Sequence, residues 1–167
     1  MAINLIRIDD RLIHGQVVEG WLRVIGADKI VIISDELAEK ENEKILFSLA
    51  VPVGVTVDYL HVQKAVEALK NDDYKNDHVL ILVESPREIL QLLENGVKLE
   101  SINVGGLHFA KGKVAINDAL YVDQDDCILF EKIADYNVMI ESRVLPNDKR
   151  LDVVEEIRKI QVVLKEK

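Results

Sequence analysis

Short apolar runs alternate with amphipathic segments along most of the chain. Residues 29–33 and 78–83 are near-continuous runs rich in Val and Ile, a pattern typical of strands buried on both faces of a sheet. Between such runs, apolar residues recur at helical spacing. The predicted strands are 3–8, 29–33, 53–60, 78–83, 101–104 and 137–141. The predicted helices are 14–25, 36–50, 62–70, 86–94, 123–134 and 152–164, and 113–116 with 119–122 form a predicted hairpin.

Strands and helices alternate regularly over the first hundred residues. Repeated strand–helix–strand crossovers are right-handed and give parallel strands with helices on both faces. The length of 167 residues suits one domain. The sequence therefore predicts a single α/β domain over residues 1–167, with an open, mostly parallel sheet covered by helices on both faces.

The composition excludes several classes of function. Acidic residues outnumber basic ones by 30 to 21 and the net charge is −9, so we expect no nucleic-acid partner, which would need a basic surface. No apolar run approaches the roughly 20 residues of a spanning helix. Charged residues within 7–11 also interrupt the apolar stretch that a signal peptide would need, so we expect a cytoplasmic protein. Cys127 is the only cysteine, and no glycine-rich dinucleotide motif follows a predicted strand. We therefore expect no metal and no cofactor.

The loop after the first strand carries the densest group of reactive side chains. It reads R-I-D-D-R-L-I-H-G-Q over residues 7–16, and ligands of open parallel sheets bind beyond the carboxyl ends of the strands. We expect His14 to be exposed to solvent at this edge, where its imidazole can attack phosphorus. Arg11 can bind phosphoryl oxygens through its guanidinium fork, and Arg7 adds positive charge beside the site.

Neighbouring groups suit the same chemistry. Gly15 and Gln16 begin a predicted helix, whose first N–H groups form an anion site with a favourable dipole. Asp10 or Asp9 can accept a hydrogen bond from the second imidazole nitrogen and fix its tautomer, or can orient Arg11 instead.

The residue types alone leave three functions open. The first is a phosphoryl carrier, and the second is a receiver-like signalling module with Mg²⁺ at Asp9 and Asp10. The third is a passive module that binds an anion at His14. A receiver also needs an aspartate at the end of the third strand, where this chain reads Y-L-H at 59–61 and has Asp58 only inside the strand.

The string R-I-D-D-R-L-I-H-G-Q-V at 7–17 resembles the signature of a known family. This is the IIB subunit of the mannose/fructose/sorbose family of the phosphoenolpyruvate-dependent sugar phosphotransferase system. Two further segments are similar to that family: S-I-N-V-G-G at 101–106 and V-L-P-N-D at 144–148. The length and the order of elements also suit a free-standing IIB, so the resemblance covers the whole chain.

The resemblance implies a protein-N(pi)-phosphohistidine–sugar phosphotransferase. A histidine in the first loop takes the phosphoryl group from a phosphohistidine of the IIA subunit and passes it to a sugar held by the membrane IIC and IID subunits. The matching residue is His14, phosphorylated on Nδ1, and Arg11 matches the family's arginine three residues earlier. Both partners would use the surface around His14 in turn, so IIB associates only peripherally with the membrane. The expected catalytic residues are His14, Arg11 and Asp10, and the expected phosphate-binding residues are Gly15, Gln16 and Arg7.

Overall fold

The computed structural model describes residues 3–165 of the chain. The strands are β1 (Ile3–Asp9), β2 (Lys29–Ile33), β3 (Thr56–Leu60), β4 (Val79–Val83), β5 (Ser101–Gly106), β6 (Val114–Ala115), β7 (Tyr121–Val122), β8 (Met139–Ser142) and β9 (Leu151–Asp152). Helix α1 joins a π-helical segment, Gln16–Leu22, to an α-helical segment, Arg23–Ile25. The other helices are α2 (Asp35–Ala38), α3 (Glu41–Leu49), α4 (Val62–Lys70), α5 (Pro86–Glu94), α6 (Gln124–Ala134) and α7 (Val153–Lys165).

Seven of the described strands form one open sheet in the order β3-β2-β4-β1-β5-β8-β9. Neighbouring strands are parallel except β8 and β9, which are antiparallel. Strands β6 and β7 pair antiparallel as a separate hairpin, with Val114 opposite Val122. The predicted fold class and the predicted hairpin are confirmed.

Side chains that alternate along the central strands serve two separate cores. Ile81 and Val83 of β4 cluster with buried residues of helices α4 to α7. Leu80 and Leu82 of the same strand cluster with buried residues of α1 and α2. Helices therefore cover both faces, as predicted. Among the helices described here, none combines the length and the apolar character needed to cross a membrane.

Two predicted elements have wrong bounds, and one strand was not predicted. The predicted helix 36–50 is divided into α2 and α3 because Lys40 has a non-helical backbone, with φ of −101° and ψ of 82°. Strand β3 begins at Thr56 because a turn precedes it, in which Gly54 has a φ of +93° that favours glycine. Strand β9 was not predicted, since its two residues carry no periodic signal.

The order of the strands creates a crevice between β1 and β5. The chain leaves β1 toward β2 on one side of the sheet and leaves β5 toward β8 on the other. Loops that diverge in this way open a crevice at the carboxyl edge, where ligands of such folds bind. Asp9 ends β1 in register with Gly106, which ends β5, so the loops after these two residues form the crevice walls.

Candidate active site

A tight turn at the end of β1 folds the following loop back over the strand. The N–H of Leu12 donates to the carbonyl of Asp9 at 2.9 Å, and the buried Leu12 has a φ of +56°. This left-handed backbone is uncommon for a branched side chain and persists only where the surroundings hold it. The turn brings His14 back beside the side chain of Asp9.

The carboxylate of Asp9 is the centre of the site. Its Oδ2 lies 2.8 Å from Nε2 of His14 and 3.0 Å from Nη2 of Arg7. Its Oδ1 accepts from the backbone N–H of Arg11 at 3.2 Å and lies 3.5 Å from Nε of that residue. Asp9 is completely buried, and a buried carboxylate is stable only where hydrogen bonds and opposite charge replace its hydration.

Burial and pairing act in opposite directions on Asp9. Burial by itself raises the pKa of the carboxyl, but the hydrogen bond from His14 and the charge of Arg7 outweigh it and hold the pKa below its ordinary value. Burial also lowers the pKa of the Arg7 guanidinium, and the charge of Asp9 opposes that shift. Arginine stays protonated in proteins, so the two residues form a buried ion pair.

This ion pair determines which nitrogen of His14 carries the hydrogen. An ionised carboxylate only accepts hydrogen bonds, so Nε2 carries the hydrogen in its contact with Asp9 and Nδ1 keeps a lone pair. The described residues provide no hydrogen bond to Nδ1. The His14 side chain is 16% exposed, so the ring reaches solvent at the carboxyl edge but less fully than expected, because Asp9 holds it against the sheet.

Arg11 lies at the rim of the site beside the start of α1. Its side chain is 36% exposed, and its Nη2 donates to Oε1 of Gln16 at 2.6 Å. Gly15 is exposed, and a Cβ atom there would meet nothing within 4 Å. The hydrogen bonds of the helix begin with Val17, whose N–H donates to the carbonyl of His14 at 3.0 Å. The N–H groups of Gly15 and Gln16 therefore precede that ladder, and the side chain of Gln16 lies against that of Arg11.

Asp10, expected to be catalytic, does not contact His14. Its Oδ2 accepts from the backbone N–H of His108 at 2.8 Å, and its Oδ1 contacts Nδ1 of the same residue. Side chains alternate along a strand, so Asp9 points to the same face as Arg7 and Asp10 points toward the loop after β5. Asp9 therefore takes the role that we expected of Asp10.

Arg7, expected to bind phosphate, is fully buried behind Asp9. Its guanidinium donates to Oδ1 of Asn103 and to the carbonyls of Arg143, at 2.9 Å, and Val144, at 3.2 Å. These acceptors lie inside the protein, because the side chain of Arg7 points into the layer between the sheet and α1. The expected phosphate contact is therefore wrong, and Arg7 supports Asp9 instead.

A row of polar side chains crosses three neighbouring strands at the level of Arg7. In the sheet Arg7 is opposite Asn103, which is opposite Glu141, and Nδ2 of Asn103 donates to Oε1 of Glu141 at 2.9 Å. Arg143 then donates to both carboxylate oxygens of Glu141, at 3.0 and 2.9 Å. Trp21 covers the row, with its ring 5.3 Å from Cζ of Arg7 and 4.9 Å from Cζ of Arg143.

Sequence reasoning missed the members of this row beyond Arg7. Asn103 and Glu141 do carry a signal, because each is a polar residue in a predicted strand that is otherwise mostly apolar. Polar residues buried in strands need hydrogen-bond partners, so their positions indicate a buried polar contact. The roles of Arg143 and Trp21 have no such signal, since they follow from tertiary packing.

Gly105 provides the space that the guanidinium of Arg7 occupies. A Cβ atom on Gly105 would lie 1.9 Å from both Cζ and Nη2 of Arg7. Gly105 belongs to β5, and its φ is not positive. Glycine is therefore required here for close approach, not for a left-handed backbone.

Replacing Gly105 by alanine should destabilise the fold by about 3–5 kcal/mol. The methyl group would force the guanidinium away from Asp9, and breaking a buried ion pair costs about that much. Urea denaturation at neutral pH measures the change. The matched control is Gly15→Ala, whose Cβ has open space and which should change the free energy of unfolding by less than about 1 kcal/mol. Wild-type stability in Gly105→Ala would show that the guanidinium has room to move.

Asp9 should make the stability of the protein depend on pH in the acid range. The ordinary pKa of aspartate is about 3.9, and the folded-state pKa of Asp9 lies below it. Its carboxylate therefore stabilises the fold above about pH 4, and this stabilisation is lost as the pH falls through the folded-state pKa. At neutral pH the free energy of unfolding of wild type should exceed that of Asp9→Asn by about 3–5 kcal/mol. Below about pH 4 this difference should become smaller.

The measurement is urea denaturation of both proteins from about pH 7 to about pH 3. Asp118 is exposed, so Asp118→Asn serves as the control. Its difference from wild type in free energy of unfolding should not change with pH in this way. A difference between wild type and Asp9→Asn that stays constant over this range would contradict the ionised, paired state of Asp9.

Comparison with known proteins assigns the family. Residues 3–167 match the family described as the PTS system sorbose subfamily IIB component. Over 160 residues the chain is 37% identical to the sorbose-specific EIIB component of Lacticaseibacillus casei, covering 96% of this chain and 98% of that protein. Over 160 residues it is 38% identical to the mannose-specific EIIAB component of Escherichia coli K12, covering 96% of this chain but 50% of that longer protein.

The fold gives the same assignment. The IIBSor domain of the sorbose permease from Klebsiella pneumoniae matches with a TM-score of 0.88 and 32% identity, covering 95% of this chain and 98% of that chain. The range 3–167 that matches the family includes the loop with His14, the strand with Asn103 and Gly105, and the segment after β8. A receiver-like module does not account for matches of this extent. The chain therefore belongs to the sorbose-subfamily IIB components of the sugar phosphotransferase system, which act in phosphoryl transfer during sugar uptake.

Proposed function

We propose that His14 is the phosphoryl carrier of this component and that its Nδ1 forms the bond to phosphorus. The observation that supports the proposal is the 2.8 Å contact between Nε2 of His14 and the buried carboxylate of Asp9. Because Asp9 is ionised, it holds the hydrogen on Nε2 and leaves the lone pair on Nδ1. It also stabilises the positive charge that the ring gains when Nδ1 attacks phosphorus.

The phosphoryl donor in this proposal is a phosphohistidine of a IIA subunit. The lone pair on Nδ1 forms the new N–P bond while the donor's N–P bond breaks, and the electrons of that bond return to the donor imidazole. The hydrogen on Nε2 stays in contact with Asp9 throughout. His14 therefore needs no separate general base, and the step requires no metal or cofactor.

Arg11, Gly15 and Gln16 supply the phosphate contacts of the proposal. A transferring phosphoryl group is largely metaphosphate-like, with charge on its equatorial oxygens. Arg11 lies within the same loop as His14 and is held by Gln16 at 2.6 Å, so its remaining N–H groups can meet those oxygens. The N–H groups of Gly15, which precedes α1, and of Gln16, its first residue, add donors and a favourable dipole.

The acceptor is a hydroxyl group of a sugar held by membrane IIC and IID subunits. Its oxygen attacks phosphorus, the bond to Nδ1 breaks, and the lone pair returns to His14. The hydroxyl proton passes to solvent or to a base of the acceptor complex. Both partners meet the same histidine, so they share one surface in turn. Such exchange favours weak contacts and only peripheral association with the membrane subunits.

Replacing His14 by alanine should abolish phosphorylation and leave the fold intact. The variant is incubated with phosphoenolpyruvate, the general phosphotransferase proteins and the cognate IIA, and phosphate is located by mass spectrometry under alkaline conditions. The matched control is His78→Ala, because His78 is exposed just before β4, at the opposite edge of the sheet, and it should be labelled like wild type.

Two outcomes would overturn the assignment. Labelling that survives in His14→Ala and disappears in another histidine variant would place the phosphoryl group elsewhere. Absence of any covalent label on wild type would favour passive anion binding. Thermal unfolding of each variant confirms that a lost label does not reflect a lost fold.

Replacing Arg11 by lysine should slow phosphoryl transfer by about 10²–10³ and change stability little. Lysine keeps the charge but loses the planar fork, and removing one contact to a developing charge costs about that much in rate. Single-turnover transfer from phosphorylated IIA measures the effect. Arg23→Lys is the matched control, since Arg23 is an exposed arginine of α1, the helix that follows the loop with Arg11. Wild-type rates in Arg11→Lys would make Arg11 a structural residue.

A further inference from the structure

A second histidine–aspartate pair lies beside the first. Asp10 accepts from the backbone N–H of His108 at 2.8 Å and also contacts its Nδ1. The His108 side chain is 56% exposed, yet one carboxylate from a distant part of the chain holds both its backbone and its ring. An exposed histidine held at two points has a fixed orientation, which a solvated surface residue does not need.

The two pairs occupy the two walls of the crevice between β1 and β5. The N–H of Asp10 donates to the carbonyl of Gly106 at 3.1 Å, which ties the loop after β1 to the end of β5. A Cβ atom on Gly106 would lie 3.7 Å from Oδ1 of Asp9 and 3.9 Å from Nη2 of Arg11. The chain that leads into His108 therefore passes directly beside the guanidinium proposed to bind phosphate.

Consecutive aspartates hold the two rings by opposite nitrogens. Asp9 binds Nε2 of His14 and leaves Nδ1 available, whereas Asp10 binds Nδ1 of His108 and leaves Nε2 available. Because a carboxylate only accepts hydrogen bonds, Nδ1 of His108 carries a hydrogen. When the ring is cationic, Nε2 carries one as well and becomes a donor.

We propose that His108, oriented by Asp10, is a second phosphoryl-binding residue, whose Nε2–H donates to an oxygen of the phosphoryl group in transit between His14 and its partner. The proposal rests on the function proposed above for His14. A phosphoryl group on nitrogen brings close to two negative charges. Arg11 is partly engaged by Gln16 and Asp9, so the imidazolium form of His108 on the facing wall would add a contact that grows stronger as charge develops on the oxygens.

The test compares His108→Ala with wild type in single-turnover transfer from phosphorylated IIA. His108→Ala should still be labelled at His14 to full extent, but about tenfold more slowly, as expected for the loss of one hydrogen bond to a charged group. His108→Gln keeps an N–H donor and should recover part of the rate. Affinity for unphosphorylated IIA should be unchanged in both variants, because the proposed contact is to the phosphoryl group.

The matched control is His61→Ala. His61 is a second exposed histidine held by an acidic residue at the carboxyl edge, with Nε2 2.6 Å from Oε1 of Glu39, but it follows β3, which β2 and β4 separate from β1. It should transfer phosphate at the wild-type rate. A double-mutant cycle of Asp10→Asn with His108→Ala should be non-additive, since Asp10 acts through His108.

Four other results would each contradict or separate a specific part of the proposal for His108. Wild-type rates in His108→Ala would overturn the proposal. If His108→Ala weakened binding of phosphorylated and unphosphorylated IIA equally, His108 would be a docking residue, and this result would also overturn the proposal. Additive effects in the double-mutant cycle would show that Asp10 does not act through His108. No label on wild type would refute the function proposed for His14 and with it this inference, whereas a label lost only in His14→Ala would leave that function standing.

Discussion

The buried contact between Asp9 and Arg7 is the constraint on which the site depends. Charges removed from water persist only where opposite charge and hydrogen bonds replace their hydration. The two residues meet most of this requirement with partners on opposite sides of the pair, although Nε of Arg7 is buried and has no hydrogen-bond partner among the described residues. Arg7 takes its acceptors from inside the protein, at Asn103 and two backbone carbonyls, whereas Asp9 takes its donors from the loop, at Arg11 and His14. The stability requirement of the pair thereby fixes the position and tautomer of the His14 imidazole, the proposed phosphoryl acceptor.

The same pair explains why three distant stretches of sequence carry the family resemblance. Residues 7–17 supply the ion pair and the histidine, 101–106 supply Asn103 and the space at Gly105, and 144–148 begin with a carbonyl that accepts from Arg7. All three meet at one guanidinium. A change in any of them alters the support of Asp9, even though only the first contains groups proposed to touch phosphate.

The polar row also divides one face of the sheet into two halves. Under α1 and α2, the side of β2 and β4 is packed with apolar residues such as Ile30 and Leu82, whereas β1, β5 and β8 present Arg7, Asn103 and Glu141. A buried ion pair contributes less to stability than apolar packing of the same volume. Its presence beside the crevice is consistent with a functional demand, namely a carboxylate kept ionised and immobile next to His14.

The sequence by itself determined the fold class, the order of most elements and the loop that holds the site. These depend on hydrophobic periodicity and on the rule that places ligands beyond the carboxyl ends of parallel strands. The division of roles inside that loop depended on tertiary structure. Asp9 and Asp10 are adjacent residues of the same type, but one turns inward to Arg7 and the other outward to His108. Which of them could be buried was decided by Asn103, Gly105 and the carbonyls after β8, because burial of a charge requires partners that only the folded chain brings within hydrogen-bond distance.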